Sequence, residues 1–436
     1  MKYANQISEI INAFSPEPIK SEYMEEFYCA ETMEFRMSDK YSSPIEDIYD
    51  ICCEGNQVSL LLLGHKGCGK STELNRLSLK LLNEGHPVRT IVCSTDLDLF
   101  NIVYSDLLIL MGEALLDIAR DYECEIDKEI LSDFSTFWSE CVTITTCTDT
   151  TEGAIETGVN AATPAILSGL LKVFANVKAN LRFNEENRTE YRKKISGRSS
   201  EWIELLSLIA KQIREKTSGK APIIIFEDLD KLNPEDAWNI FYNYAAILSG
   251  MSFPVIYTFP IGLSYDTRFA ALESYFIAKT LPMIKIETLE GTTFAEGINV
   301  IKKIVEKRSN LSLYEDNVLD TLIRNTGGSL RDLFFTINSA AKRAGRREAD
   351  KISMEDAQRA SEELQTSLTR RIEEPDYEFL KSIYIGDKEL IRDKEMLLKM
   401  LQASVVLEYN GKRWHNIHPL VAKFLKERGL VDNVET

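Results

Sequence analysis

Residues 60–72 read LLLLGHKGCGKST. A short apolar run enters a glycine-rich turn, and the turn ends in Lys70-Ser71. From Gly64 through His65, Lys66, Gly67, Cys68, Gly69 and Lys70 to Ser71 the pattern G-x-x-x-x-G-K-[ST] is complete, and Thr72 follows. The run Val58–Leu63 is short and bounded by Gly64, which fits a buried parallel strand better than a helix. Lys70–Leu82 is helical in pattern. Strand, glycine loop and helix together turn successive backbone N–H groups around an anion and aim the helix's positive end at it. Such a loop grips phosphate: Lys70 is expected on the β- and γ-phosphates and Ser71 on Mg²⁺.

A second stretch supplies the complement. IIIFEDLDK, from Ile223, runs four apolar residues into Glu227 and Asp228, with Asp230 two further on. A carboxylate at a strand end can hold a metal, and the next can orient and deprotonate a water. Glu227 is assigned to the metal and Asp228 to the water, with the reverse order as the alternative. The plainer reading is an acidic turn that caps a helix over Pro234–Leu248. Further strands are expected at Val88–Ser94, Phe253–Pro260 and Met283–Ile286. Helices are expected at Leu99–Ala119, at Glu201–Lys216, where Trp202, Leu205, Ile209 and Ile213 share a face, and throughout Thr292–Arg347.

The order of phosphate loop, FEDLD, a later strand VIYTFP and then TGGSLRDLF resembles the AAA+ superfamily. Within it the likeness is to the origin-recognition and initiator branch and to bacterial STAND-type ATPases. It spans roughly residues 40–350. The resemblance implies an α/β fold: a parallel-sheet P-loop NTPase core with a helical lid and a C-terminal winged-helix domain. It implies ATP and Mg²⁺ as ligands, hydrolysis to ADP and phosphate, and self-association. It places the γ-phosphate sensor of the fourth strand on Thr258 and the lid sensor on Arg331. An arginine offered to the neighbouring subunit's site falls on Arg268. The distance from Lys70 to Asp228 exceeds what a compact core of this kind needs.

The domain reading follows: an N-terminal extension over 1–43, a core over 44–290 with an insertion at about 121–200, a lid over 291–350, and a winged-helix-like domain over 351–436. Ser43-Pro44 reads as a helix cap followed by a first-turn proline. The insertion is expected to hold its own strands and helix. Its Ala- and Leu-rich part reads as a packing helix, with membrane activity as the lesser alternative. In the last domain Asn410-Gly411 between SVVLEY and KRWHNI predicts a tight hairpin. DKEMLLKMLQ would then bring Lys394 and Lys399 near a DNA groove, with Lys412, Arg413 and Trp414 on the wing.

Charge tempers the DNA reading. The chain of 436 residues carries a formal net charge of −17. Residues 361–436 hold 12 Lys/Arg against 14 Asp/Glu, so the last domain is about neutral rather than basic. A protein effector or an intramolecular contact is the favoured partner there, with duplex DNA as the alternative. The eight cysteines form no CxxC pair, and the four histidines do not complement them as metal ligands. Free thiols, no secretion signal and no bilayer-spanning run point to the cytoplasm, with no membrane partner. The reading is an Mg-ATP-driven conformational switch of a bacterial regulatory or defence type, with a DNA-binding initiator-like ATPase as the alternative.

Overall fold

The computed structural model describes residues 1–37, 43–55, 57–142, 163–386, 388–389, 391–409 and 414–431. The segment CVTITTCTDTT beyond residue 142, the Asn410-Gly411 turn, Lys412 and Arg413 lie outside them.

Five parallel strands form the core sheet: β1 (Ser59–Gly64), β2 (Val88–Val92), β3 (Ile223–Glu227), β4 (Val255–Pro260) and β5 (Ile277–Leu281). Their order is β2-β3-β4-β1-β5. This is a P-loop NTPase α/β core. Every residue of β1 and β3 is buried, as a central strand covered on both faces requires. Side chains alternate between two cores. Leu61 and Leu63 join Ile224 and Phe226 on one face, while Leu60 and Leu62 join Ile223 and Ile225 on the other.

Several expected elements shift. The strand expected at Met283–Ile286 is instead β5, at Ile277–Leu281. As an edge strand β5 carries Lys279 and Thr280 and lacks a continuous apolar run. The apolarity of Met283–Ile286 serves packing outside the sheet: Ile284 and Ile286 enter a second core with Ile298, Ile301 and Ile337. The helix expected over Pro234–Leu248 is two, Pro234–Phe241 and Ala245–Leu248. Between them Tyr244 stacks on Tyr104 with ring centroids 3.7 Å apart. Ser43 caps the Pro44–Cys53 helix by accepting from Glu46 N at 3.1 Å.

Among the described residues the insertion contributes helices and no strand: Lys128–Val142, Thr163–Phe183 and Glu185–Gly197. Phe174, Val177 and Leu181 of the Ala- and Leu-rich helix enter the core around Trp202. Close packing depends on Gly112, where a Cβ would sit 2.5 Å from the Trp202 ring. The packing-helix reading holds, and no helix among the described residues is long and apolar enough to cross a membrane.

The region expected to form a lid holds the helices Ala295–Glu306, Val318–Asn325 and Leu330–Arg346. The N-terminal extension folds onto these helices in short turns. Phe14 meets Phe334 edge-on at 5.3 Å, and Ala4 bridges Ser309. The Met354–Thr369 helix spans two cores, with Ala357 and Ala360 in the lid and Leu364 and Leu368 in the C-terminal unit. That unit contains Asp376–Ile385, Lys394–Gln402, the antiparallel hairpin β6 (Val406–Tyr409) and β7 (Trp414–Ile417), and Pro419–Glu427.

Candidate nucleotide-binding site

The glycine loop joins β1 to the Lys70–Asn83 helix. Gly67 and Gly69 have φ of +87° and +102°, a region where a side chain is strained. At Gly67 a Cβ would also lie 2.5 Å from Cβ of Arg331, so the loop and the lid arginine nearly touch. Together with the N-terminal extension and the lid, the loop lines a cavity of about 1330 Å³. Lys66, Gly67, Gly69, Lys70, Ser71 and Thr72 line it. Gly64, His65 and Cys68 do not. Cys68 is fully buried, which removes it from exposed thiol chemistry.

The Lys70 Nζ donates to the carbonyls of Gly64 at 2.7 Å and His65 at 2.9 Å, and pairs with Asp230 at 2.9 Å. Burial opposes its charge most, but Asp230 and Cys68 together outweigh this and raise its pKa. Glu227, at the end of β3, is pushed up to about 7 by burial, then by Asp228 and Asp230, against a Ser71 hydrogen bond that lowers it. The half-buried Ser71 hydroxyl beside the buried Glu227 carboxylate, with two more carboxylates nearby, is a hard-oxygen donor set that wants positive charge. It fits Mg²⁺, with Ser71 and Glu227 as the holding groups.

Asp228 adopts φ +72°, outside the strand, which turns its carboxylate into the cavity. Ser94, just past β2, donates to Asp228 Oδ2, and Lys231 Nζ lies 2.6 Å from Oδ1. Ser94 carried no signal in the sequence, because β2 was expected to run through it as an ordinary strand residue.

The three residues placed by resemblance separate. Arg331 lines the cavity, in the first turn of the Leu330–Arg346 helix. Thr258 does not. It is buried two residues short of the end of β4, where its hydroxyl donates to Phe226 O at 3.2 Å and accepts from Leu229 N at 3.0 Å. Its hydroxyl ties the β3 exit to β4. Arg268 is exposed, paired with Asp266 at 2.5 Å and set over the Trp238 ring at 4.4 Å. It lines no part of this chain's cavity.

The N-terminal extension enters the site without a motif to announce it. Arg36 is buried and donates to Cys68 O at 2.7 Å and Pro282 O at 2.6 Å. Ile19 N donates to Thr72 Oγ1 at 3.3 Å, and Ile19, Phe27 and Phe334 give the cavity an apolar flank.

Two other expectations change. Lys399 is not free for a DNA groove: it pairs with Asp376 at 2.9 Å and Glu373 at 3.2 Å. The Lys394–Gln402 helix packs on the turn after β4, where a Cβ on Gly262 would press on Leu398 at 3.3 Å. A cysteine and a histidine also meet, since ligand atoms of Cys53, Glu84 and His86 lie within 4.8 Å of one another. Tyr49 donates to Glu84 at 2.5 Å, and Lys220 donates to the Glu84 carbonyl beside it.

No protein-family model matches the chain, and no curated protein matches it. Among solved structures it is similar to the Aeropyrum pernix ORC2 protein in ADPNP-ADP complexes, at TM-score 0.36 and 11% identity, covering 89% of this chain and 94% of that one. It is similar to Cdc6p from Pyrobaculum aerophilum at 0.36 and 13%, covering 96% and 97%. It is similar to the Thermotoga maritima RuvB branch-migration motor at 0.35 and 11%, covering 91% and 98%. Likenesses this distant leave the functional reading to the residues of the site.

Proposed function

We propose that the protein is an Mg-ATP-binding ATPase of AAA+ type that uses hydrolysis to reset a lid. One observation carries this reading: Lys70, Ser71, Glu227 and Asp228 converge on one cavity, and Arg331 reaches the same cavity from the lid. The loop binds phosphate through its N–H groups and Lys70. Ser71 and Glu227 hold the metal, which when bound neutralises charge developing on the phosphates. Asp228, oriented by Ser94 and Lys231, accepts the proton of the attacking water. Arg331 binds the γ-phosphate and releases when it leaves, so ATP and ADP hold the lid differently. The apolar flank between the N-terminal extension and the lid receives the base.

The output of the switch is directed at a protein partner or at another part of the chain. Support comes from the docked Lys394–Gln402 helix and the paired Lys399. Self-association, with Arg268 serving a neighbouring site, and a bacterial regulatory setting belong to the same reading.

The test is steady-state ATP hydrolysis by the full chain at physiological salt, with and without duplex DNA. Turnover that is abolished in Lys70→Ala and indifferent to DNA is the expected result. Hydrolysis surviving in Lys70→Ala would overturn the site. Stimulation by DNA that is lost in Lys412→Glu/Arg413→Glu would replace the protein-directed output with the initiator-like one.

A further inference from the structure

His65 is the second residue of the phosphate loop, yet its ring turns away from the cavity. Its Nε2 accepts the backbone N–H of Glu408 in β6 at 2.8 Å. An accepting Nε2 requires the neutral ring with its proton on Nδ1. Burial first, then the charges of Lys70 and His415, pushes its pKa down to about 3. Protonation therefore does not release this contact at ordinary pH.

The same hairpin is fixed at three further points. The Glu408 carboxylate accepts from Tyr265 OH at 2.7 Å, and that hydroxyl meets His415 Nε2 at 2.9 Å. Tyr409 OH donates to Gly327 O at 2.6 Å. Gly327 opens the turn that delivers Arg331, and a Cβ there would sit 2.7 Å from Leu407. One short strand thus touches both the loop that takes phosphate and the turn that carries the lid arginine. The backbone of His65 faces the nucleotide side, because its carbonyl accepts Lys70 Nζ at 2.9 Å.

We propose that His65 is a positioning residue that couples phosphate binding by Lys70 to attachment of the C-terminal hairpin. The proposal rests on the nucleotide reading of the site. Lys70 Nζ has three donor hydrogens and three partners, the carbonyls of Gly64 and His65 and the Asp230 carboxylate, so phosphate competes with the His65 carbonyl for it. The His65 peptide then loses its cationic partner and turns, and its ring moves off the Glu408 N–H. Coupling is reciprocal, so a chain whose hairpin cannot hold His65 binds nucleotide more tightly.

Hydrogen exchange of the full chain, with and without saturating Mg-ADP or a non-hydrolysable ATP analogue, reads the hairpin. Titration with a fluorescent nucleotide reads affinity in parallel. In the unaltered chain, nucleotide is expected to speed exchange in the peptide covering β6. His65→Gln places an acceptor oxygen at the same reach as Nε2 and keeps the response. His65→Leu exchanges fast without nucleotide, shows no further change with it, and binds at least about five-fold more tightly. Unchanged exchange in β6 while nucleotide binds normally would overturn the coupling and leave the site standing. A response in His65→Leu equal to that of the unaltered chain would do the same. Absence of nucleotide binding altogether would remove both readings. Should His65→Leu fail to fold, the unaltered chain and His65→Gln still decide.

Discussion

Lys70 Nζ and Asp230 Oδ2 lie 2.9 Å apart, and both side chains are more than nine-tenths buried. The lysine that should hold phosphate is therefore neutralised from within when no anion is present. A nucleotide has to compete with Asp230, as well as with the Gly64 and His65 carbonyls, for this lysine. Removing one member of a buried pair leaves the other uncompensated, at a cost of roughly 3–5 kcal/mol. Asp230→Asn should thus melt well below the unaltered chain without nucleotide. Added ADP should then raise its melting temperature more than it raises that of the unaltered chain, because phosphate supplies the missing charge. Thermal scans with and without ADP measure both effects. A smaller nucleotide shift in Asp230→Asn would mean that Asp230 acts with the nucleotide rather than against it.

The parts of this site that sit on regular elements were legible in the sequence. The buried run of β1 and the glycine pattern after it fix Lys70 and Ser71 through local geometry alone. The apolar run of β3 does the same for Glu227 and Asp228. Ser94 was not legible, because its role comes from β2 lying beside β3, a pairing between residues 134 positions apart. Arg36 was hidden for a similar reason: the turns around it have no period, and its partners Cys68 and Pro282 come from distant segments. β5 was missed because an edge strand need not be continuously apolar. Thr258 was placed by analogy, and it does not line the cavity. A polar residue near the end of β4 looks like a sensor in a string of letters, whereas the bonds its hydroxyl makes, to Phe226 O and from Leu229 N, come from the pairing of β3 with β4.

Asp228 is held by Ser94 on one oxygen and Lys231 on the other. Asp228→Asn should keep nucleotide affinity while lowering kcat by about 10²–10⁴-fold, the usual contribution of a positioned base. Ser94→Ala should leave affinity unchanged and lower kcat less, since it disturbs only the orientation of the carboxylate. Single-turnover hydrolysis alongside equilibrium binding separates the two quantities. Normal turnover in Asp228→Asn would move the base to Glu227.

Glu227 gives the ligand-free protein a pH dependence. Its pKa rises from the ordinary 4.5 to about 7, with burial as the largest cause. Between those values the folded chain keeps a proton that the unfolded chain has released. Stability from this group therefore falls as pH rises through the window. The gap corresponds to about 3 kcal/mol. Glu227→Gln lacks the titration and can still accept from Ser71. Its melting temperature should exceed that of the unaltered chain by more at pH 8 than at pH 5, in metal-free buffer. Parallel pH profiles for the two proteins would show that Glu227 is already ionised at low pH.

Arg36 ties the N-terminal extension to the phosphate loop and to the end of β5. Its guanidinium reaches the carbonyls of Cys68 in the phosphate loop and Pro282 beyond β5, and no carboxylate pairs with it among the described residues. A buried cation set against the loop and lining the same cavity adds positive potential where phosphate would sit. It also fixes the Cys68 peptide next to Gly69, where a Cβ would approach its Nη2 at 3.4 Å. Arg36→Met keeps the apolar stem but removes both bonds. Each charged-donor bond contributes roughly 1.5–3 kcal/mol. Stability without nucleotide changes less than that sum, because the variant also removes a buried charge that lacks an acidic partner. Nucleotide binding has no such offset. The bound phosphate would lose a nearby cation, and the loop would lose its brace. Calorimetric titration with Mg-ADP should therefore show affinity falling about ten-fold or more while thermal stability moves modestly. Arg36→Lys retains the charge and one carbonyl contact, so its affinity should lie between the two. If Arg36→Met binds Mg-ADP as tightly as the unaltered chain, Arg36 is only a structural tie between the N-terminal extension and the core.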